Sequence, residues 1–383
     1  MDGEINNFIK VWILTNTSLC YCYYIAAKIP KGIIRFISLL PIFYIFIILP
    51  LNLHSFHLGG PTTFFLVWLG IFKLLLFSFN LGPLSPTPPT LVQFISIACL
   101  PIKIKQNPPQ KSPQNTDLNP LTPQNNTNPS HQTTPKPKKS VNPIDQTLTN
   151  VPNKSILLAI KVLLLALVIR TYEYRPRLHP YIILALYCCH MYLGIELLLA
   201  LSAVPARAIL GFELEPQFTE PYLSTSLQDF WGRRWNLMVT NILRPVAYDP
   251  VRRISMRILG PRWARFLAVM STFAVSGLMH EAIYYYLTRV PPTWEVTWFF
   301  ILHGVCVAVE VEVKKAATDR WRLHPVVSMP LTIVFLAVTG NWLFFPQLLR
   351  NGVDLKAINE YGIMVDFVKA HLPLHIIGAK DDS

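Results

Sequence analysis

His280 and Glu281 stand side by side in SGLMHEAIYYYL, residues 276–287, within an apolar run long enough to be a membrane helix. Each is costly to bury in hydrocarbon, and an ionisable residue at that depth points to function first. On a helix, Ser276 and Gly277 lie one turn below His280 on the same face and leave room for a ligand or a neighbouring backbone; Ile283 and Tyr284 lie one turn above. A neutral imidazole placed there could act as a general base. It could equally be a structural histidine, hydrogen-bonded to another helix. Glu281 is an accessory candidate, but it projects about 100° away around the helix, so direct pairing with His280 is not expected.

A second constellation is STSLQDFWGRRWNLMVTNILRPVAYDP, residues 224–250. Ser224 or Ser226 could cap a helix beginning LQD. Asp229 with Arg233, and Trp231 with Trp235, are i, i+4 pairs. Tryptophan beside arginine suits a helix at headgroup level, which accounts for Trp231, Trp235, Arg233 and Arg234 as interfacial anchors. It does not account for Asn236, an amide where the apolar run resumes. A buried amide needs a partner, and this one could donate to an oxyanion.

Two weaker candidates follow. WFFILHGVCVAVEVEVKK places His303 within a span, and Gly304 beside it suggests close packing; the reading is structural, with an accessory role as the alternative. Glu196 and Lys161 are isolated charges on consecutive spans, expected to pair as glue or to line a tunnel. No nucleophile elbow G-x-S-x-G, zinc helix H-E-x-x-H or P-loop occurs. No histidine is followed four positions later by aspartate, so the usual soluble acyltransferase signature is missing. A covalent serine route and a metal route therefore lack support, and no metal or other cofactor is expected.

The elements that must position these residues are membrane helices. The 383 residues are 52% hydrophobic and only 14% charged, where a soluble protein would be nearer a quarter charged. Apolar runs able to cross about 30 Å of hydrocarbon recur: from Phe8, Ile33, Thr62, Ser155, Tyr181, Trp263, Val296 and Val326. The fold class is an all-α polytopic membrane protein with roughly eight transmembrane helices. LVQFISIACLPI, from Leu91, is too short to cross upright and is expected to be re-entrant or interfacial. The first run lacks a basic start and a small-residue cleavage site, which favours a retained span over a signal peptide. The net charge of +13 suits cytosolic retention and anionic lipid better than nucleic acid, since no compact basic-aromatic module is visible. The six cysteines lie in apolar runs at spacings unsuited to a zinc site or a disulfide framework, and read as small hydrophobes.

Three regions emerge: N-terminal membrane helices over 1–102, a Pro-, Asn- and Gln-rich segment over 103–154, and a catalytic membrane region over 155–383. The middle segment cannot bury enough apolar surface to offset its ordering entropy, so a disordered loop is expected. Lys28, Lys31 and Arg35 flank spans one and two, whereas HSFHLGG between spans two and three has no Lys or Arg. The positive-inside bias then puts the N-terminus in the lumen and the Pro-rich loop in the cytosol. Arg170, Arg175 and Arg177 disagree, because single crossings would leave them lumenal.

SLQDFWGRRWN, NILRPVAYDPVR, SGLMHEAIYYY and FFILHGVCVAVE resemble the plant wax synthase family, a branch of the membrane-bound O-acyltransferase superfamily; the likeness runs from about residue 180 onward. The resemblance implies an acyltransferase of the endoplasmic reticulum membrane that moves a fatty acyl group from acyl-CoA, a co-substrate, to a lipid alcohol. His280 would match the family's membrane histidine and Asn236 its amide partner, with no acyl-enzyme. Arg233, Arg234, Arg244, Arg252 and Arg253 could receive the CoA phosphates or serve as positive-inside anchors. Sterol and diacylglycerol branches typically carry Asp-Trp-Trp-Asn, whereas this chain has Arg-Arg-Trp-Asn, which favours the wax synthase branch. Long-chain alcohol is the first acceptor expected; sterol, or acetylation of diacylglycerol, is the alternative. A multispan transporter using Glu196, Lys161 and His280 as a polar path is the reading from another class, although the paired broken helices of transporters are not seen.

Overall fold

The computed structural model describes residues 2–104, 154–211, 213–316 and 323–371. Most of the Pro-rich segment, and with it the expectation of a disordered cytosolic loop, lies outside them. The described helices are α1 (Asp2–Tyr24), α2 (Ile33–Ile48), α3 (Phe56–Thr63), α4 (Ile71–Ser78), α5 (Leu91–Cys99), α6 (Lys154–Thr171), α7 (Pro180–Leu210), α8 (Leu227–Asp229), α9 (Leu237–Leu243), α10 (Asp249–Thr288), α11 (Glu295–Ala316), α12 (Pro325–Thr339), α13 (Pro346–Arg350) and α14 (Val353–His371). Four π-helical turns interrupt them, at Phe64–Gly70, Phe230–Arg234, Arg244–Tyr248 and Gly340–Phe344. Among the described residues the only extended pairing is an isolated bridge between Ile104 and Leu214.

Among the described residues, six helical runs are long and apolar enough to cross a membrane: Ile33–Asn52, Phe56–Ser78, Pro180–Ala208, Leu237–Thr288, Glu295–Ala316 and Pro325–Phe344. The runs expected from Phe8 and Ser155 do form α1 and α6 but are not among the six. Large side chains such as Ile33, Leu163, Val326 and Leu331 face outward, as lipid contact requires.

Buried polar groups fix the short elements. Lys73 has no exposed surface, and its Nζ donates to the carbonyls of Ile97 and Leu100, both at 2.7 Å. Those carbonyls end α5, so the lysine supplies the donors that a helix C-terminus lacks. Thus α5 packs its Phe94, Ile97 and Cys99 into the core without spanning. Lys161 and Glu196 pair across α6 and α7, as their spacing suggested. All six cysteines are free; Cys22 and Cys99 are buried, but Cys189 is exposed on α7.

Contacts sort the helix ends onto two sides. On one, Arg35 donates to Phe77 O at 3.1 Å, Lys103 pairs with Glu215 at 2.6 Å, and Lys314 reaches Ser226 Oγ at 2.9 Å. On the other, Tyr286 donates to Ile47 O at 2.7 Å, and Glu360 accepts from the backbone N–H groups of Phe56 and His57 at 2.7 and 3.0 Å. Arg175 lies on this second side, paired with Asp354 at 3.2 Å, while Arg170 pairs with Glu173. The arginines that disagreed with the charge bias therefore sit at the end shared with residues 47–57, and acidic partners compensate two of them.

The long helix α10 breaks at Gly260, whose φ of 78° is left-handed. Pro261 disfavours a helical residue before it, and glycine adopts the turn without a side-chain clash. The second half of α10 lies tightly on α11. A Cβ on Gly277 would come within 3.0 Å of Thr297 Cα, and one on Gly304 within 3.0 Å of Phe273 Cβ. The space beside His280 that Gly277 was expected to provide is used by a neighbouring backbone.

Candidate active site

His280 sits on this α10–α11 seam, half-buried. Its Nδ1 lies 2.7 Å from the carbonyl oxygen of Ser276, one turn earlier. A carbonyl only accepts, so Nδ1 carries the ring proton and Nε2 carries the free lone pair. Nε2 has no hydrogen-bond partner among the described residues. Three rings surround the imidazole: Phe300 at 4.4 Å between centroids, Trp68 edge-to-face at 5.0 Å, and Phe344 at 5.6 Å. Phe344 ends the π turn after α12, and Tyr284, one turn above His280, holds it by donating its hydroxyl to Phe344 O at 2.7 Å.

Glu281 faces elsewhere, as its position on the helix implies. It is 3% exposed, and its Oε1 accepts from the Thr297 N–H and hydroxyl, both at 3.2 Å. Thr297 lies in the first turn of α11, where backbone N–H groups have no intrahelical acceptor. Glu281 therefore caps α11, and the adjacent His and Glu do separate jobs on separate faces.

Ser226 caps α8, its Oγ accepting from Asp229 N–H at 3.2 Å, as expected. The pairings beyond it differ from the expected i, i+4 pattern. Asp229 binds Arg234 at 2.7 Å rather than Arg233. Trp235 stacks on Phe230 at 5.2 Å rather than on Trp231. Both observed pairs are i, i+5, because Phe230–Arg234 is a π turn closed by Trp235 N–H on Phe230 O at 2.9 Å. A π turn spaces neighbours one residue further than an α turn.

Asn236 follows in a left-handed conformation, φ 39° and ψ 64°. Its Oδ1 accepts from Val239 N–H at 3.4 Å and caps α9, which leaves the Nδ2 donor without a partner among the described residues. No hydrogen bond joins Asn236 to His280. The two are linked through packing: Met238, Val239 and Trp68 belong to one buried cluster, against which Val275, Met279 and Ile283 of α10 lie.

His303 is fully buried and fully occupied. Trp231 donates its indole N–H to Nδ1 at 3.1 Å. Nε2 therefore carries the proton and donates to Thr339 Oγ1 at 2.9 Å, while the Thr339 hydroxyl donates to Phe335 O at 2.7 Å. Trp231, read as a headgroup anchor, thus ties the π turn to α11 and α12 from inside.

Arg234 is spoken for, since it also donates to the carbonyls of Thr219 and Glu220 at 3.2 Å. Arg244 lies 3.9 Å from Asp249, and Arg253 donates to Asp249 O at 3.3 Å. Arg233 and Arg252 are exposed with no partner among the described residues. An open groove of about 300 Å³ is lined by Pro250, Arg253, Ile254 and Arg257, none of which touches His280. No three His, Cys, Asp or Glu side chains among the described residues gather as metal ligands would.

Sequence reasoning did not find Trp68, Phe300 or Phe344 as neighbours of His280. Only Phe300 lay in a stretch already singled out, and nothing in local periodicity links the three.

Comparison with known proteins agrees with the wax synthase resemblance. A family profile described as the membrane bound O-acyl transferase family matches residues 214–302, which contain Asp229, Asn236 and His280. The chain is 47% identical to a long-chain-alcohol O-fatty-acyltransferase of Simmondsia chinensis, covering 97% of this chain and 98% of the other. It is 46% identical to a probable long-chain-alcohol O-fatty-acyltransferase of Arabidopsis thaliana over 96% and 98% of the two chains. An acyl-CoA–sterol O-acyltransferase of the same plant is 42% identical over 94% and 96%. Likeness of this degree over nearly the whole length extends to the N-terminal helices that carry Trp68. The chain is a multi-pass membrane acyltransferase and belongs to the plant wax synthase family of membrane-bound O-acyltransferases.

Proposed function

We propose that this protein transfers a fatty acyl group from acyl-CoA to a long-chain alcohol, forming a wax ester, with His280 as general base. The observation that carries the reading is the fixed tautomer: Nδ1 is committed to Ser276 O, so Nε2 faces the site as an acceptor. Nε2 takes the proton of the alcohol hydroxyl as its oxygen bonds to the thioester carbon. The carbonyl oxygen becomes an oxyanion, and the Asn236 Nδ2–H is the donor we assign to it. Collapse of the tetrahedral intermediate breaks the carbon–sulfur bond, and the CoA thiolate recovers the proton from Nε2. Atoms and charge balance without an acyl-enzyme or a cofactor, acyl-CoA being a co-substrate.

Exposed Arg233 and Arg252 are the arginines free to meet CoA phosphates. Membership of the family sets the transporter reading aside. Sterol is the second acceptor to consider, supported by the 42% identical sterol acyltransferase. The endoplasmic reticulum membrane is the expected location, where acyl-CoA and lipid alcohols meet; microscopy of tagged protein against an organelle marker tests it. The activity itself is tested with microsomes, labelled acyl-CoA and a panel of fatty alcohols, sterols and diacylglycerol. Labelled wax ester supports the reading; sterol ester alone reassigns the acceptor, and no ester with any alcohol overturns it.

A further inference from the structure

The indole of Trp68 has a property that packing alone does not explain. The residue is 3% exposed, and its Nε1–H has no hydrogen-bond partner among the described residues. A buried polar group without a partner is destabilising, and such groups recur where a ligand completes them. Trp12 shares the missing partner, but its ring does not touch His280, whereas that of Trp68 packs edge-to-face on it at 5.0 Å. Trp231 provides a contrast within the same molecule, because its indole N–H is satisfied by His303.

Position adds a second observation. Trp68 lies in the π turn Phe64–Gly70, and π turns are rare and frequently accompany functional sites. α3, this π turn and α4 run on as one helical rod, Phe56–Ser78, and Ser55 and Glu360 hold its start, with Ser55 Oγ accepting from Leu58 N–H at 3.2 Å and donating to Glu360 at 2.8 Å. Trp68 also shares a buried cluster with Met238 and Val239, the first residues of the helix that Asn236 caps. The indole therefore packs on the proposed base and belongs to the same buried cluster as the first turn of the helix that the proposed amide donor caps.

We propose that the Trp68 indole N–H is a second donor to the thioester oxygen, acting with Asn236 on the oxyanion that forms beside His280. The inference rests on the reading of His280 given above. Substrate supplies the partner that the indole lacks, so the donor is uncompensated in the free protein and paired as charge develops. That is the differential binding that accelerates a chemical step.

The test uses the full chain in lipid nanodiscs with palmitoyl-CoA and a saturated long-chain alcohol. Trp68→Phe keeps an aromatic ring and removes the donor. It should lower kcat by about 10²–10³-fold, the usual effect of losing one oxyanion donor, with KM for palmitoyl-CoA little changed. The melting temperature should hold or rise, because an unpaired buried donor has been removed. Unchanged kcat, or kcat falling together with the melting temperature, overturns the proposal. If the Phe variant does not insert, Trp68→Leu, which likewise lacks a donor, replaces it and is judged by the same outcomes.

Two acyl-CoA analogues isolate the oxygen. A trifluoromethyl ketone analogue, whose tetrahedral hydrate mimics the oxyanion, should bind the wild type more tightly than the corresponding thioether, and Trp68→Phe should shrink that advantage. An advantage undiminished in the variant overturns the donor. His280→Gln, assayed in parallel, separates the two ideas. If it is inactive while Trp68→Phe is normal, only this inference fails. If His280→Gln turns over normally while Trp68→Phe does not, the base is misassigned and the donor stands.

Discussion

His280 and His303 are both intramembrane histidines, on helices that pack against each other through Gly277 and Gly304, yet their hydrogen bonds make them opposites. His280 has one nitrogen fixed by a carbonyl of its own helix and the other unpartnered. His303 has both nitrogens engaged, by residues from two other segments. Residue type and membrane position are shared, so neither tells the two apart. What separates them is whether a lone pair is left over once the fold is satisfied, and only His280 keeps one.

The largest expected effect is the plainest way to break this contrast. His280→Gln keeps a hydrogen-bonding side chain but cannot accept a proton, and should lose about 10²–10⁴-fold in turnover, the range general-base catalysis supplies. His303→Gln can still accept from Trp231 and donate to Thr339, and should retain most activity. Ester formation by both purified variants decides it: an active His280→Gln with an inactive His303→Gln would invert the assignment.

Asn236 sharpens the comparison on the oxyanion side. Asn236→Asp keeps the oxygen that caps α9 and replaces only the Nδ2 donor. Turnover should drop by about 10²–10³-fold with thermal stability unchanged, as read by kcat and a melting scan on one preparation. A variant that melts early would place the value of Asn236 in its cap, worth about 0.5–2 kcal/mol, rather than in catalysis.

A smaller effect should come from the partner that saturates His303. Trp231→Phe leaves Nδ1 buried and unpaired, at a cost of about 1–3 kcal/mol in stability. Because Trp231 does not touch His280, turnover per folded molecule should change little. A fall in kcat without a fall in melting temperature would show that the π turn of FWGRR reports to the site more directly than its contacts suggest.

The smallest effect concerns pH and the rod that carries Trp68. Burial would raise the Glu360 carboxyl, but hydrogen bonds from His57, Phe56 N–H and Ser55 outweigh it and hold the group at about 2, below the usual 4.5. A depressed carboxylate stabilises the fold above its unfolded-state value, and that contribution fades as pH falls from about 4.5 toward 2. Wild type should therefore lose melting temperature over this interval more than Glu360→Gln does. Parallel pH–melting curves for the two proteins would refute the Glu360 clamp.

Much of the architecture was legible in the residues themselves. Apolar runs located most of the helices, because a lipid-facing helix must show its composition over its whole length. Ser226 as a cap, Lys161 with Glu196 as a pair, and the divergence of Glu281 from His280 followed from rules acting within a helix turn or between neighbouring spans. The count of spans was less legible: α1 and α6 fold as helices, yet among the described residues six runs are long and apolar enough to cross a membrane.

Tertiary structure decided the rest, and for a physical reason. Helical periodicity states which face a residue occupies but not which group will meet it there. The partner of His303 is 72 residues away on a π turn, and the ring beside His280 comes from Trp68 near the opposite end of the chain. The π turn itself displaced Asp229 and Trp235 by one residue from their expected partners, since its extra residue per turn has no sequence signature here. The sequence determined that a histidine, an amide and arginines would lie on or beside membrane helices. Which histidine kept a free lone pair depended on hydrogen bonds between distant segments, and those exist only once the chain has packed.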